Sequence, residues 1–291
     1  MLVLLRKYLE RNEVIMSVPT IERLLLSKLL TFGVLLFISQ PAAAEIIAQT
    51  GFNDASGING NATSNSPYSL GSLNGGGAGE SGWLAPWSGS PTLTTVQNSV
   101  VFEGDQALRL QPTFSPSRAL AAPVTDGFFT QQYVRFDEGA RFVAYTELES
   151  HPEDIAFQGA IWQAFPDHTF RVIDGVRDGA NAAPTEITGF TWSPGVWYQI
   201  DTRVDVSKGT WDFYVNGNHY DAPDPLGFRG NAVALDRFRF LSEGTGNVYL
   251  DGLTISAIPE SSSFIYSGFV GFAGMVYVLF RKRFAIAKSC V

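Results

Sequence analysis

Cysteine is all but absent. Cys290 is the only one in 291 residues, so no intrachain disulfide can form. A folded part must hold together by core packing and hydrogen bonding, with a bound metal as the one other staple. Charge is also sparse, at 16% of residues. Positive charge is scarcest in the middle: residues 45–260 carry 11 basic against 25 acidic residues, a net charge of −14. Such a surface repels phosphate backbones and argues against nucleic acid as a partner. Only three histidines occur, His151, His168 and His219. They stand far apart with no cysteine to join them, which argues against a zinc site. No Gly-x-Ser-x-Gly elbow is present, so a Ser-His-Asp triad would have to assemble from distant residues in space. No amphipathic helix pattern appears in residues 45–258.

The two ends are topogenic. From Met16, Arg23 and Lys28 supply a basic stretch and residues 29–38 an apolar one; Gln40-Pro41 then breaks the helix. Ala42-Ala43-Ala44 offers a small-x-small site, which predicts a signal region over 1–44 cleaved after Ala44. Residues 1–15 add nothing a signal needs, so Met16 is the expected true start. An uncleaved N-terminal anchor is the competing reading. At the other end, residues 264–280 form an uncharged run that as a helix would span about 26 Å, enough to cross a thin bilayer core. Arg281, Lys282 and Arg283 follow and should stay cytoplasmic, leaving everything before them outside. Gly268, Gly271 and Gly274 suit helix contacts or are simply tolerated in a span. Cys290, beyond the span, is either lipidated or an incidental thiol.

Ile258-Pro259-Glu260-Ser261, the apolar span and the basic triplet together resemble the C-terminal tail of PEP-CTERM sorting-domain proteins. Ser261 stands where that family has a second Pro, and residues 284–291 trail the triplet. The resemblance implies recognition of Pro259 and Glu260 by an exosortase-type processing enzyme in the lipid bilayer. The expected organisation is therefore signal region 1–44, ectodomain 45–258, sorting and anchor segment 259–283, and a short tail 284–291.

Between the ends the dominant period is two. Tyr198, Ile200, Thr202, Val204 and Val206 face one way, and Trp197, Gln199, Asp201, Arg203 and Asp205 the other. After a Ser207-Lys208-Gly209 turn, Trp211, Phe213 and Val215 share a face, and Asn216-Gly217 closes the strand with a favoured tight-turn pair. Further strands are predicted at 96–101, 107–110, 128–136, 142–147, 155–165, 169–173, 186–191, 234–241 and 247–255. Many strands without crossover helices predict an all-β, antiparallel jelly-roll sandwich, plus the N-terminal signal helix and one C-terminal transmembrane helix. Residues 55–91, rich in Gly, Ser, Asn and Pro, read as a long rim loop pinned by Trp83 and Trp87, or else as a flexible linker. Gly51-Phe52-Asn53-Asp54, residues 197–217 and Asn247-Val248-Tyr249-Leu250-Asp251-Gly252-Leu253 resemble concanavalin A-like (laminin G-like) domains. That fold hosts lectins, glycosidases and adhesion modules alike.

Glycosidases of that fold use paired carboxylates, and Glu147 and Glu149 have the alternate spacing that brings two carboxyl groups about 5 Å apart. Glu153 is nearby, but Ser150-His151-Pro152-Glu153-Asp154 reads as a turn, which favours a solvated acidic loop over a catalytic pair. Asn53, Asp54 and Asp251 could converge on a structural calcium where first and last strands pair; Asp174, Asp178 and Asn181 form a second candidate. The plainer reading is that these residues shape turns. Trp162, Trp192, Trp197 and Trp211 are either core or a sugar-stacking platform. The expected function is a non-catalytic surface or matrix protein whose sandwich serves adhesion or weak binding of extracellular polysaccharide. A secreted glycoside hydrolase and a purely structural protein are the alternatives. A shallow face with exposed aromatics would favour binding, and a cleft with two close carboxylates would favour the enzyme.

Overall fold

A computed structural model of the chain describes residues 44–52, 68–90, 92–175, 183–220 and 225–258, all within one compact unit, Ala44–Ile258. The expected signal region up to residue 43, the span 264–280, Pro259, Glu260, Arg281, Lys282, Arg283, Cys290, Asn53 and Asp54 lie outside the described residues.

In chain order the strands begin with β1 (Ile46–Thr50), β2 (Gly71–Ser72), β3 (Thr94–Gln97), β4 (Ala107–Leu110) and β5 (Ser117–Val124). Next come β6 (Gly127–Phe136), β7 (Ala140–Glu147), β8 (Gln158–Ala164), β9 (Thr169–Val172) and β10 (Thr185–Thr191). The chain closes with β11 (Trp197–Asp205), β12 (Thr210–Val215), β13 (Asn218–His219), β14 (Leu226–Gly227), β15 (Leu235–Gly244) and β16 (Val248–Ala257). They form two antiparallel sheets. The larger runs β13-β12-β11-β6-β16-β4-β3-β2, with β1 on β16 and β14 on β12; the smaller runs β10-β9-β8-β7-β15-β5. The chain is an all-β sandwich.

Period-two patterning sets which face each strand buries. Along β6, half-buried and buried residues alternate over all ten positions, so Phe128, Val134 and Phe136 enter the core while Phe129, Tyr133 and Arg135 face outward. The sheets meet through rings: Phe128 lies 5.7 Å from Phe238, Phe136 6.1 Å from Phe142, and Trp162 5.8 Å from Phe213, centre to centre. The predicted hairpin of β11 and β12 forms with Val204 opposite Trp211 and Ile200 opposite Val215. Asn216 (φ 50°) and Gly217 (φ 76°) make the left-handed turn into β13.

Two strand expectations need correction, and the eight-residue strand β5 is an addition to them. The strand expected at 96–101 ends at Gln97, because the Gln97 side-chain oxygen accepts the amides of Ser99 (2.8 Å) and Val100 (2.9 Å) and curls the chain. The strand expected at 155–165 begins only at Gln158. Residues Ile155–Phe157 form a 3₁₀ turn capped by Asp154, whose carboxylate accepts the Ala156 amide at 2.9 Å. The Ala-rich strand β5 carries Pro123 and was not anticipated; it is tolerated because β5 is the edge of its sheet.

The Gly-rich segment is described from residue 68 to 90, where Trp83 and Trp87 are both buried. Trp83 donates to the Gln49 carbonyl (3.1 Å) and Trp87 to the Tyr68 hydroxyl (3.0 Å). Beneath them Arg118 places its guanidinium 4.6 Å from the Trp83 ring centre, pairs with Glu80, and donates to the carbonyls of Ala85 and Gly77. Tyr68 donates to Glu80 (2.8 Å) and accepts from Thr50 (2.9 Å). Burial pushes the Glu80 carboxyl above its ordinary range, opposed by Arg118, and holds the Tyr68 phenol far above its own. Gly77 sits at φ +76°, where a Cβ would stand 2.4 Å from the Tyr68 hydroxyl and 2.7 Å from Glu80.

Breaking this tie on one side leaves a buried charge. Arg118→Ala is expected to cost about 3–5 kcal/mol in urea unfolding, whereas the double replacement Arg118→Met with Glu80→Leu should cost clearly less. Equal losses would show that the segment is held by its tryptophans alone.

Candidate functional site

Between the sheets, a cavity of about 20 Å³ lies among Thr130, Gln132, Trp162, Thr202 and Phe240. Ligand pockets run to about 300 Å³ and more, so this space is too small for a sugar ring. The chemistry on offer is on the outside of the larger sheet.

There the outward phase of three adjacent strands brings Trp197 (β11), Arg135 (β6) and Tyr249 (β16) directly opposite one another, with Arg109 (β4) next in line. One residue pair along, Gln199 faces Tyr133, which faces Asp251. Phe102 arrives from the β3–β4 connection. Its ring stacks on Tyr133 at 3.8 Å and meets Trp197 edge-on at 5.7 Å, and the side chain remains 43% exposed. The Arg135 guanidinium lies 5.1 Å from the Tyr249 ring centre. Tyr249 donates to Asp137 at 3.3 Å, as does Asn247 at 3.1 Å. Gln199 donates to Asp201 at 2.8 Å; burial nevertheless keeps the Asp201 carboxyl above its ordinary range. The result is a shallow aromatic platform rimmed by planar polar groups.

Asp251 holds Phe102 in place. The residue is fully buried, and its carboxylate accepts the amides of Phe102 and Glu103 (3.1 Å each) through Oδ2 and that of Gly252 (2.9 Å) through Oδ1. Burial pushes it up to about 7, against the pull of those three amides, with Glu103 adding to the rise. The strand breaks register between Asp251 and Thr254, a bulge that aims the carboxylate at the connection. Gly252 sits at φ +55°, and a Cβ there would lie 2.9 Å from the Tyr133 ring and 3.1 Å from the Glu103 carboxylate.

The other residues singled out from sequence fall elsewhere. Strands β1 and β16 do pair, Thr50 opposite Leu253. The oxygens of Asp251, however, accept N–H groups, and Asn53 and Asp54 are outside the described residues. Asp174 accepts the Gly227 amide at 3.0 Å; Asp178 and Asn181 are not described. Among the described residues no three His, Cys, Asp or Glu side chains are grouped to hold a metal. The solvated acidic loop expected around Glu147 and Glu149 needs correction. Glu147 is fully buried, and its Oε1 accepts Arg239 Nε at 3.0 Å. Arg237 Nε lies 3.2 Å from Oε1 without hydrogen-bond alignment. Oε2 accepts the Glu153 amide at 2.8 Å. Glu149 pairs with Arg237 at 2.7 Å, and Glu153 with Arg239. Two arginines tie three acids into a turn. His151 stacks on Phe157, His168 lies 3.3 Å from Glu138, and His219 lies 3.6 Å from Asp212, three separate places. Trp162, Trp192 and Trp211 are core; only Trp197 of the four is on the platform.

Sequence reasoning missed Phe102, Tyr133, Arg135, Tyr249 and Arg109 as a group. The alternation of β6 marks Tyr133 and Arg135 as outward, but nothing local places Phe102 upon them. The carboxylate that does so is 149 residues further along the chain.

The raised value of Asp251 has a definite sign. Its contribution to stability is fully present below the ordinary carboxylate value near 3.8 and is lost as pH rises through about 7. Asp251→Asn removes this titration and turns an amide group toward backbone donors. The stability gap between wild type and variant, from urea unfolding, is therefore expected to widen steadily from pH 8 to pH 4.5. A gap independent of pH would contradict the assignment.

No protein-family model and no curated protein matches this sequence. Among solved structures, a sialidase is similar over 73% of this chain and 19% of its own, at 13% identity and TM-score 0.46. An alginate lyase mutant in complex with an alginate trisaccharide is similar over 74% of this chain and 100% of its own, at 10% identity and TM-score 0.46. A carbohydrate-binding module from Bacillus subtilis is similar over 59% of this chain and 95% of its own, at 9% identity and TM-score 0.38. The chain thus spans about a fifth of that sialidase's length. The architecture rests on the strand pairings described above, and these likenesses add no chemistry to it.

Proposed function

We propose that the chain is an exported cell-envelope or extracellular-matrix protein whose non-catalytic jelly-roll sandwich binds glycan through the outer face of its larger sheet. The carrying observation is the platform on the outer face, Phe102 exposed and Tyr133 and Trp197 half-buried against it, with Gln199, Asn247 and Arg135 at its margin. Stacked rings offer apolar surface to the C–H face of a sugar, and planar amides and guanidinium groups beside them suit its hydroxyls. The open shape suits weak, repeated contact along a polymer. Delivery follows from the ends. A signal region ending at Ala44 would export the chain, and the apolar run 264–280 with Arg281, Lys282 and Arg283 would hold it in the bilayer with its C-terminus in the cytoplasm. Pro259 and Glu260, in their PEP-CTERM-like setting, would present the chain to an exosortase-type enzyme.

The test is a glycan array probed with the full-length chain, with and without calcium. Binding to at least one polysaccharide is expected, weakened about tenfold or more by Trp197→Ala and by Phe102→Ala, with the melting temperature held within a few degrees. Silence across the array, or binding indifferent to both substitutions, would overturn the glycan reading. Cleavage of a bound glycan would overturn the non-catalytic one.

A further inference from the structure

Five residues lie directly opposite one another across adjacent strands of the larger sheet: Thr95, Arg109, Tyr249, Arg135 and Trp197. Neighbouring strands are about 4.8 Å apart, so the two arginines stand about 10 Å apart with Tyr249 between them, and Trp197 one strand further on. The row crosses the strands and is long enough for a short stretch of polysaccharide.

The arginines differ in how they are neutralised. Arg135 leans over Tyr249 and has Asp137 at 3.9 Å, a carboxylate already engaged by Tyr249 and Asn247. Arg109 has no carboxylate partner and no side-chain hydrogen bond among the described residues, and its Nε is buried without an acceptor. Its cross-strand neighbours are Thr95 and Tyr249, neither of which can neutralise it. Elsewhere on the domain arginines pair as a rule: Arg118 with Glu80, Arg141 with Glu243, Arg171 with Asp167, and Arg237 and Arg239 with Glu147. In a region with 25 acidic residues and only 11 basic ones, few described arginines are left without an acid; Arg203, six residues along β11 from Trp197, is also outside these ion pairs. Acids beside the row include Asp137 near Arg135, Asp251 one residue pair along opposite Tyr133, and Glu103, which lies against Gly252.

We infer that this row recognises a carboxylate-bearing polysaccharide of the uronate class, sugar faces resting on Trp197 and Phe102 and carboxylates reaching Arg109, with Arg135 in support. The inference rests on the glycan-binding reading of the same face and sharpens it. A guanidinium presents parallel N–H donors that match a planar carboxylate, a fit that a neutral hydroxyl does not use. The acidic remainder of the domain repels a polyanion at long range, so attraction must be local, and specificity should fall on Arg109, the arginine of this row without an acid beside it.

The experiment compares the full-length chain on immobilised polygalacturonate and on the same polymer with its carboxyl groups reduced. Wild type should bind the polyuronate about tenfold more tightly than its reduced form. Arg109→Gln should lose about that factor on the polyuronate and bring the two polymers level. Lys208→Gln, the same charge change in the exposed β11–β12 turn, should retain the preference. Equal wild-type affinity for the two polymers, an unaffected Arg109→Gln, or tighter binding to dextran sulfate than to polyuronate would overturn the inference. In those cases binding that remains sensitive to Trp197→Ala keeps the broader glycan reading intact, whereas no binding to any polymer removes both.

Discussion

A carboxylate buried in the last strand governs the exposed face. Asp251 lies in β16, which pairs with β1, β4 and β6 and so occupies the middle of the larger sheet. Removing a carboxylate from water costs several kcal/mol unless donors replace that water. Three backbone amides do so, two of them from a connection with no strand of its own. The need for those donors brings residues 102 and 103 down onto the sheet. The Phe102 ring lands on Tyr133 as a consequence, and the platform is set by the fold itself.

The same device recurs across the domain and gives the acidic composition a second meaning. Glu80, with Arg118, secures the 68–90 segment. Glu147 accepts the Glu153 amide and closes the turn after β7, and Asp236 accepts the Glu149 amide beside it. Asp174 accepts the Gly227 amide. Each of these acids is buried, and each fastens one connection, the work that disulfides or metals do in small domains that have them. Part of the net charge of −14 is therefore internal structure and not a solvated coat. Internal ties also bring local polarity: each depends on its donors and fails when one partner is removed.

How much of this was legible follows from the range of each interaction. The β11–β12 hairpin could be read because its signals are local: alternation, a Gly turn and Asn216-Gly217 all lie within twenty residues. Trp83 and Trp87 stood out because two large rings in a Gly-rich stretch need somewhere to pack. The ends of strands were misjudged where a side chain competed with the ladder for backbone groups, as Gln97 and Asp154 do. Strand β5 went unread because small residues and Pro123 carry little β signal, and only its edge position makes that acceptable. Glu147 was read as solvated because its partners, Arg237 and Arg239, come from a strand some ninety residues later. The platform was the least legible feature. Three of its strands are non-consecutive, and the row from Arg109 to Trp197 exists only in the sheet order.

That distribution of roles bears on what the exposed face can do. Glu147 is buried against Arg239 and the Glu153 amide, and Asp251 against the amides of Phe102 and Glu103, so each carboxylate is turned to the chain's own donors. The domain has committed several of its strongest carboxylates, Glu147, Glu80 and Asp251 among them, to this internal work. Outward on the larger sheet stand rings, amides and guanidinium groups, with Asp205 and Asp212 among them. Ten of the eleven basic residues in 45–260 are arginine, the cation that stacks on aromatic faces and forks toward planar anions. The loops of this sandwich, whose described residues hold no cysteine, are thus kept closed by buried acids and the amides and arginines they bind, Arg118 and Arg239 among them.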